Sequence, residues 1–145
     1  MEVIRAKDTQ SEWINEIIKE EFPYFSLTPE KIKERMSNDK FIILIAEQGN
    51  IDIGFIEVEL FLEKKEARLN AIFVEEAWRA QGFAKKMIER VVRECKRKGI
   101  ERIFLLVKEE NENAKALYSK EGFAFEKMHD KIIDGSDIEV WAKKI

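Results

Sequence analysis

The chain has 145 residues, 45% of them hydrophobic, which suffices for one domain with its own core. Its formal net charge of -3 gives no electrostatic footprint for nucleic acid, and its single cysteine, Cys95, excludes an intrachain disulfide. The longest apolar run, residues 41–46, is far too short to span a bilayer, and residues 1–10 lack the apolar stretch of a secretory signal, so a soluble cytoplasmic protein is expected.

Val3, Ile4 and Ala6 predict a short first strand. Ser11 is placed to cap a helix whose Trp13, Ile14, Ile17 and Ile18 recur at near-helical spacing. The aromatic stretch at residues 22–27 ends that helix. A second one follows, with Thr28 as N-cap and Pro29 at its first position. Residues 41–47 form a continuous apolar run and predict a buried strand, which the Gln48-Gly49-Asn50 turn joins to a hairpin partner over residues 51–62. A charged turn at Lys64, Lys65 and Glu66 leads to a strand over residues 67–74.

The next helix, residues 82–98, collects Ala84, Met87, Ile88, Val91, Val92 and Cys95 on one side and Lys85, Lys86, Glu89, Arg90 and Arg93 on the other. Cys95 therefore reads as a small core residue, not a nucleophile. Lys96, Arg97 and Lys98 suit the negative end of the helix dipole, and Gly99 closes it. Residues 102–107 predict another buried strand, and residues 113–123 a short helix ending at Gly122. Two final strands flank residues 134–137, where Asp134-Gly135 signals a hairpin turn. The order is β-α-α-β-β-β-α-β-α-β-β. Strand 67–74, helix 82–98 and strand 102–107 form a βαβ unit with parallel strands and a right-handed crossover. The other neighbours are hairpins. An α/β (α+β) domain over residues 1–145 follows, with a mixed sheet and helices on both faces.

The junction of strand 67–74 with its helix reads Arg79-Ala80-Gln81-Gly82-Phe83-Ala84. A helix start offers unpaired N–H groups and partial positive charge, glycine admits close approach, and Arg79 or Gln81 can add donors. That combination makes a phosphate or pyrophosphate cradle, although a lone glycine at such a junction also fits a plain turn. A Walker A loop is excluded, because its second glycine and Gly-Lys-Ser/Thr end are missing. A dinucleotide fingerprint needs more glycines, where Trp78 and Ala80 stand.

The segment from Ile72 to Val91 resembles the cofactor motif of the GNAT superfamily of acetyl-CoA-dependent N-acetyltransferases, Arg/Gln-x-x-Gly-x-Gly/Ala, through Arg79, Gly82 and Ala84. A second family motif is matched by Asn111, Ala114, Leu117, Tyr118, Gly122 and Phe123. The resemblance implies a mostly antiparallel sheet of about six to seven strands, with acetyl-CoA as co-substrate in a V between the two central parallel strands. The pyrophosphate would meet Ala80, Gln81, Gly82, Phe83, Ala84 and Lys85, with Arg79 beside them. The pantetheine arm would pair with backbone of Ile72, Phe73 and Val74 and lie near Asn111. Tyr118 would serve the chemistry by protonating the departing thiolate. Transfer would be direct, with neither an acyl-enzyme nor a metal. The alternative is a CoA-binding sensor or interaction domain on the same fold without transfer activity. A monomer or homodimer is expected.

The acceptor side departs from the family pattern. An amine with a pKa of roughly 10 must lose a proton, and the resemblance puts a glutamate base at one of two positions. Here those positions hold Leu106 and Arg68. Glu57 and Glu59 share one face of their strand and can bind or deprotonate an amine, but the same positions also fit a solvated sheet margin, the plainer expectation. Alternation puts Asn70 on the side of Arg68 and Ile72, where it can hold a water. His129 and Glu139 are remoter candidates. The resemblance builds the acceptor pocket from the segment between the first two helices and the last hairpin. Phe22, Tyr24 and Phe25 would wall it, and Asp134 and Asp137 would make its entrance acidic, suiting a cationic amine such as a peptide N-terminus, a lysine, a polyamine or an amino sugar.

Overall fold

The computed structural model describes residues 1–145 apart from Tyr24 and Ser26. In chain order it contains β1 (Glu2–Arg5), α1 (Ser11–Glu21), α2 (Pro29–Met36), β2 (Phe41–Gln48), β3 (Ile51–Phe61), β4 (Glu66–Val74), α3 (Phe83–Arg97), β5 (Arg102–Lys108), α4 (Glu112–Lys120), β6 (Ala124–Met128) and β7 (Ile138–Lys144). The strands form one 7-stranded sheet in the order β1-β2-β3-β4-β5-β7-β6. β4 and β5 run parallel, and the other neighbouring pairs are antiparallel. Among the described residues no helix is long and apolar enough to cross a membrane.

The sheet separates two apolar layers, which explains the continuous apolar run of β2. Ile42, Leu44 and Ala46 pack with Met87, Ile88, Val91 and Cys95 of α3, while Ile43 and Ile45 pack with Ile14, Ile17 and Ile18 of α1 and Ile32 of α2. Each such side chain, fully buried, contributes about 1.5–3 kcal/mol. The helices therefore hold to the sheet through these stripes more than through intrinsic propensity.

Thr28 caps α2 as expected, its Oγ1 accepting from Lys31 N at 3.2 Å with Pro29 at the first helical position. Ser11 does not cap α1. A short turn over Asp8–Gln10 precedes the helix, and the Ser11 hydroxyl donates back to the Asp8 carbonyl at 2.7 Å. The last hairpin is also more open than expected. Asp134 and Gly135 do take positive φ, 52° and 73°, but they close only an isolated Ile133–Ser136 bridge. β6 and β7 start several residues away, which leaves residues 129–137 as a long connection beside β5.

One ion cluster clamps the foot of the parallel pair. Arg102 of β5 bonds Glu66 of β4 and Glu126 of β6, which raises its guanidinium further above an already high value, the bond to Glu126 contributing most.

Candidate active site

Parallel pairing of β4 with β5 runs from Glu66–Arg102 to Leu69–Leu105 and stops there. The cause is a β-bulge. Across β3, Val58 pairs Leu69 but Glu57 pairs Ala71, so Asn70 is an extra residue that bends β4 away. Beyond it, Ile72, Phe73 and Val74 remain paired with β3, while Leu106, Val107 and Lys108 remain paired with β7. The strands part into a V, and each presents an edge without the other as partner. Gly54 lets β3 follow β4 here, because a Cβ on it would stand 2.6 Å from the Phe73 carbonyl oxygen.

The bulge corrects one sequence expectation. Arg68 and Asn70 do share a side, but Ile72 does not join them. Ile72 and Val74 pack against the α3 layer, and Ala71 and Phe73 against the α1/α2 layer. An extra residue shifts the period-two alternation by one, which a pattern of residue types does not reveal.

At one mouth of the V lies the start of α3. Gly82 is its N-cap at φ 89°, without a side-chain cap, and the first turn carries no acid. A Cβ at Gly82 would meet no atom within 4 Å, so the approach to the backbone is open. Phe83 is buried edge-on to Trp78 at 6.0 Å and anchors the turn, while Ala84 is half-buried and Lys85 exposed. Ala80 is also left-handed, at φ 62°. Two side chains expected to add donors are turned to the loop itself. Arg79 Nε donates to the Val74 carbonyl at 2.8 Å, and Gln81 Nε2 reaches the Ala77 carbonyl at 3.4 Å. They shape the cradle, while no side chain caps the first turn and Lys85 stands exposed beside it. An uncapped helix start beside an open strand edge fits an acyl-CoA, whose pyrophosphate and amide arm require those two features.

α4 lies on the same face of the sheet. Asn111 is its N-cap, with Oδ1 accepting from Ala114 N at 3.1 Å, so that oxygen is engaged within the helix. Tyr118 is buried edge-on to Phe123 at 5.9 Å, in the same core as Leu105 and Val107. Glu139 also turns toward α4, bonded to Lys115 at 3.3 Å and to Trp141 Nε1 at 2.8 Å. Desolvation works against the Lys115 charge, but Glu112 and Glu139 hold it above the usual lysine range. Neither Glu139 nor His129, which lies 3.6 Å from Asp130, lines the cavity described next. Burial, reinforced by Glu94 and opposed by Lys98, pushes the Cys95 thiol up to about 12, so it is no nucleophile.

At the other mouth of the V is a cavity of about 420 Å³. Leu69, Asn70, Leu106 and Lys108 line it where the strands part, Phe25 and Leu27 from the α1–α2 connection, and Ile133 from the β6–β7 connection. Phe22 stacks behind Phe25 at 5.8 Å. Tyr24 lies outside the described residues.

Glu57 stands in the cavity wall, only 3% exposed, which overturns the solvated-margin expectation for it. Arg35 Nη1 donates to its Oε1 at 2.6 Å, and Asn70 Nδ2 to the same oxygen at 2.9 Å. Glu59 is partly exposed and pairs with Arg68 at 3.0 Å, while Arg68 Nε donates to Asn70 Oδ1 at 2.7 Å. The expected acidic entrance is offset, because Asp134 is bound to Lys108 at 2.9 Å. Sequence reasoning missed Arg35. Its helix carries no signal for a site, and only the packing of α2 against β2, beside β3, brings it to Glu57.

The sequence model of the Acetyltransferase (GNAT) family matches residues 11–123. A curated relative, the [ribosomal protein bS18]-alanine N-acetyltransferase of Haemophilus ducreyi, is 36% identical over 77 residues, covering 53% of this chain and 51% of that protein. The chain thus spans about half the length of the curated relative it matches. Among solved structures, PaiA N-acetyltransferase of Thermoplasma acidophilum in complex with coenzyme A aligns at a TM-score of 0.83, with 22% identity over 99% of this chain and 98% of that one. Spermidine N-acetyltransferase SpeG of Vibrio cholerae, an F149A mutant, aligns at 0.82, with 17% identity over 99% and 95%. At such identities these two likenesses show the fold alone. The family match takes in both motifs and the two strands that form the V, and on it the chain belongs to the acetyltransferase (GNAT) family, which draws its acetyl group from acetyl-CoA.

Proposed function

We propose that this chain is an N-acetyltransferase that moves an acetyl group from acetyl-CoA directly to a primary amine held in the cavity. One observation carries the reading. Leu69, Asn70, Leu106 and Lys108 mark the parting of the strands and also line the cavity, so a donor laid in the V and an acceptor in the cavity share a wall.

Bound acetyl-CoA would supply an activated thioester. The N–H groups at the start of α3, from Gly82 to Lys85, hold its pyrophosphate, and the open edge at Ile72, Phe73 and Val74 takes its amide arm. Backbone N–H groups on that edge polarise the carbonyl as an oxyanion hole does. Both bonds to Glu57 converge on Oε1. Its Oε2 is then the acceptor for an incoming amine N–H, and the carboxylate takes the proton released as the C–N bond forms. Tyr118 gives its phenolic proton to the sulfur as the C–S bond breaks, and solvent restores both groups. Glu59 is not part of the cavity wall and so is not placed to take that proton.

The relative named for a ribosomal-protein alanine supports an amine acceptor in general. The test is thiol release from acetyl-CoA against a panel of amines, together with the melting temperature with and without CoA. A rise in melting temperature and turnover of at least one amine are expected. No stabilisation by CoA sinks the reading. Stabilisation with no thiol release from any amine replaces it with the CoA-sensor alternative.

A further inference from the structure

The charges in the cavity wall are three cations, Arg35, Arg68 and Lys108, against one carboxylate, Glu57. Arg35 is committed to Glu57. The other two are balanced from outside the wall, Arg68 by Glu59 and Lys108 by Asp134, and those partners are 25% and 50% exposed. The Lys108–Asp134 pair, with Asp134 half exposed, is weak and exchanges readily. A polyamine or a cationic peptide would carry its second positive charge toward Arg68 and Lys108. An acceptor with a negative group beside its amine can instead add to or replace the outside carboxylates on those two cations. The remaining wall is apolar, from Phe25, Leu27, Ile133 and Ile138, and the volume suits a small molecule.

We propose that the acceptor is a small amino-carboxylate with an apolar side chain, its amine on Glu57 and its carboxylate on Arg68 and Lys108. This rests on the acetyl-transfer reading above and names the substrate class of that site. Arg68 suits the task because its bonds to Asn70 and Glu59 use Nε and Nη2, leaving donors on Nη1 for a carboxylate. Lys108 can exchange the Asp134 carboxylate for that of the acceptor. Phe25 and Ile133 come from connections on either side of the V and close over the apolar part.

The experiment compares matched amines on the full chain: leucine against leucinamide and isoamylamine, ε-aminocaproate against n-hexylamine, with spermidine and an alanine-led peptide alongside. Two readouts are taken, the melting temperature of the CoA-saturated protein with each compound, and kcat/KM by thiol release. Leucine should stabilise the CoA complex and be acetylated with kcat/KM about tenfold or more above leucinamide and isoamylamine, while ε-aminocaproate, whose carboxylate is remote from its amine, should gain less over n-hexylamine. Lys108→Gln and Arg68→Gln should abolish that preference, and Lys108→Arg should restore part of it. The stabilisation by CoA alone reports that each variant is folded with its donor site intact. Equal or better binding and turnover of isoamylamine, n-hexylamine, spermidine or the peptide overturns the proposal. So does the absence of both stabilisation and turnover by leucine. Stabilisation by leucine without thiol release supports this acceptor class while sinking the transfer reading, so the two failures are distinguishable.

Discussion

Arg35 Nη1 lies 2.6 Å from Glu57 Oε1, joining the last turn of α2 to the centre of β3. Glu57 is 3% exposed, so this pair works in a poorly solvated place. A buried carboxylate stripped of its cation is costly. Arg35→Met should therefore lower the unfolding free energy by about 3 kcal/mol, while Arg35→Met combined with Glu57→Leu should recover most of it. Urea unfolding of both variants checks this. Equal stability of Arg35→Met and the parent would mean that Asn70 alone balances the carboxylate. Turnover should be lost in the double variant whatever its stability, because the proposed proton acceptor is gone.

Gly82 separates a conformational demand from an electrostatic one. A Cβ there has open space but a left-handed backbone, φ 89°. Gly82→Ala should cost about 1–2 kcal/mol of stability and keep some response to CoA. Gly82→Glu should lose the CoA-induced rise in melting temperature altogether, since it adds a negative charge where the pyrophosphate would sit. An undiminished CoA shift in Gly82→Glu would remove the cradle from α3.

Tyr118 is buried edge-on to Phe123, a ring contact that phenylalanine at this position keeps. Tyr118→Phe should lower kcat by about 10²-fold while leaving the affinity for acetyl-CoA near that of the parent. Presteady-state mixing with a saturating amine separates the two. A parallel loss of CoA affinity would make Tyr118 a cofactor contact, and an unchanged kcat would remove its acid role.

Cys95 offers a pH test. Its thiol is raised from 9.0 to about 12 in the native protein, through burial first and Glu94 second. The native state thus holds the proton more tightly than the unfolded one. This contribution is complete below pH about 9 and is lost as pH rises toward about 12. At pH 8 a maleimide should label Cys95 only in denaturant, and the native rate should stay low as pH approaches 10. Fast native labelling at pH 8 would mean that the α3 layer opens locally.

Much of this was readable along the chain, and for a physical reason. Apolar spacing on α1 and α3, the Thr28-Pro29 start of α2 and the glycine at the start of α3 are local matters, set by residues a few positions apart. Element order followed from them, and the family resemblance rested on residue types at fixed separations, Gly82 with Ala84 and Asn111 with Tyr118. The bulge at Asn70 was not legible. It is a count of one residue against its partner strand, and the partner is fixed only by pairing. That single residue turns Ile72 away from Asn70 and parts β4 from β5. The charge of the cavity was hidden likewise. Glu57, Arg35 and Asn70 are far apart in sequence, as are Lys108 and Asp134. Residue types alone suggested an acidic pocket for a cation. The tertiary structure pairs buried Glu57 with Arg35 and half-exposed Asp134 with Lys108, and it holds the first firmly and the second loosely because water screens the exposed pair and not the buried one.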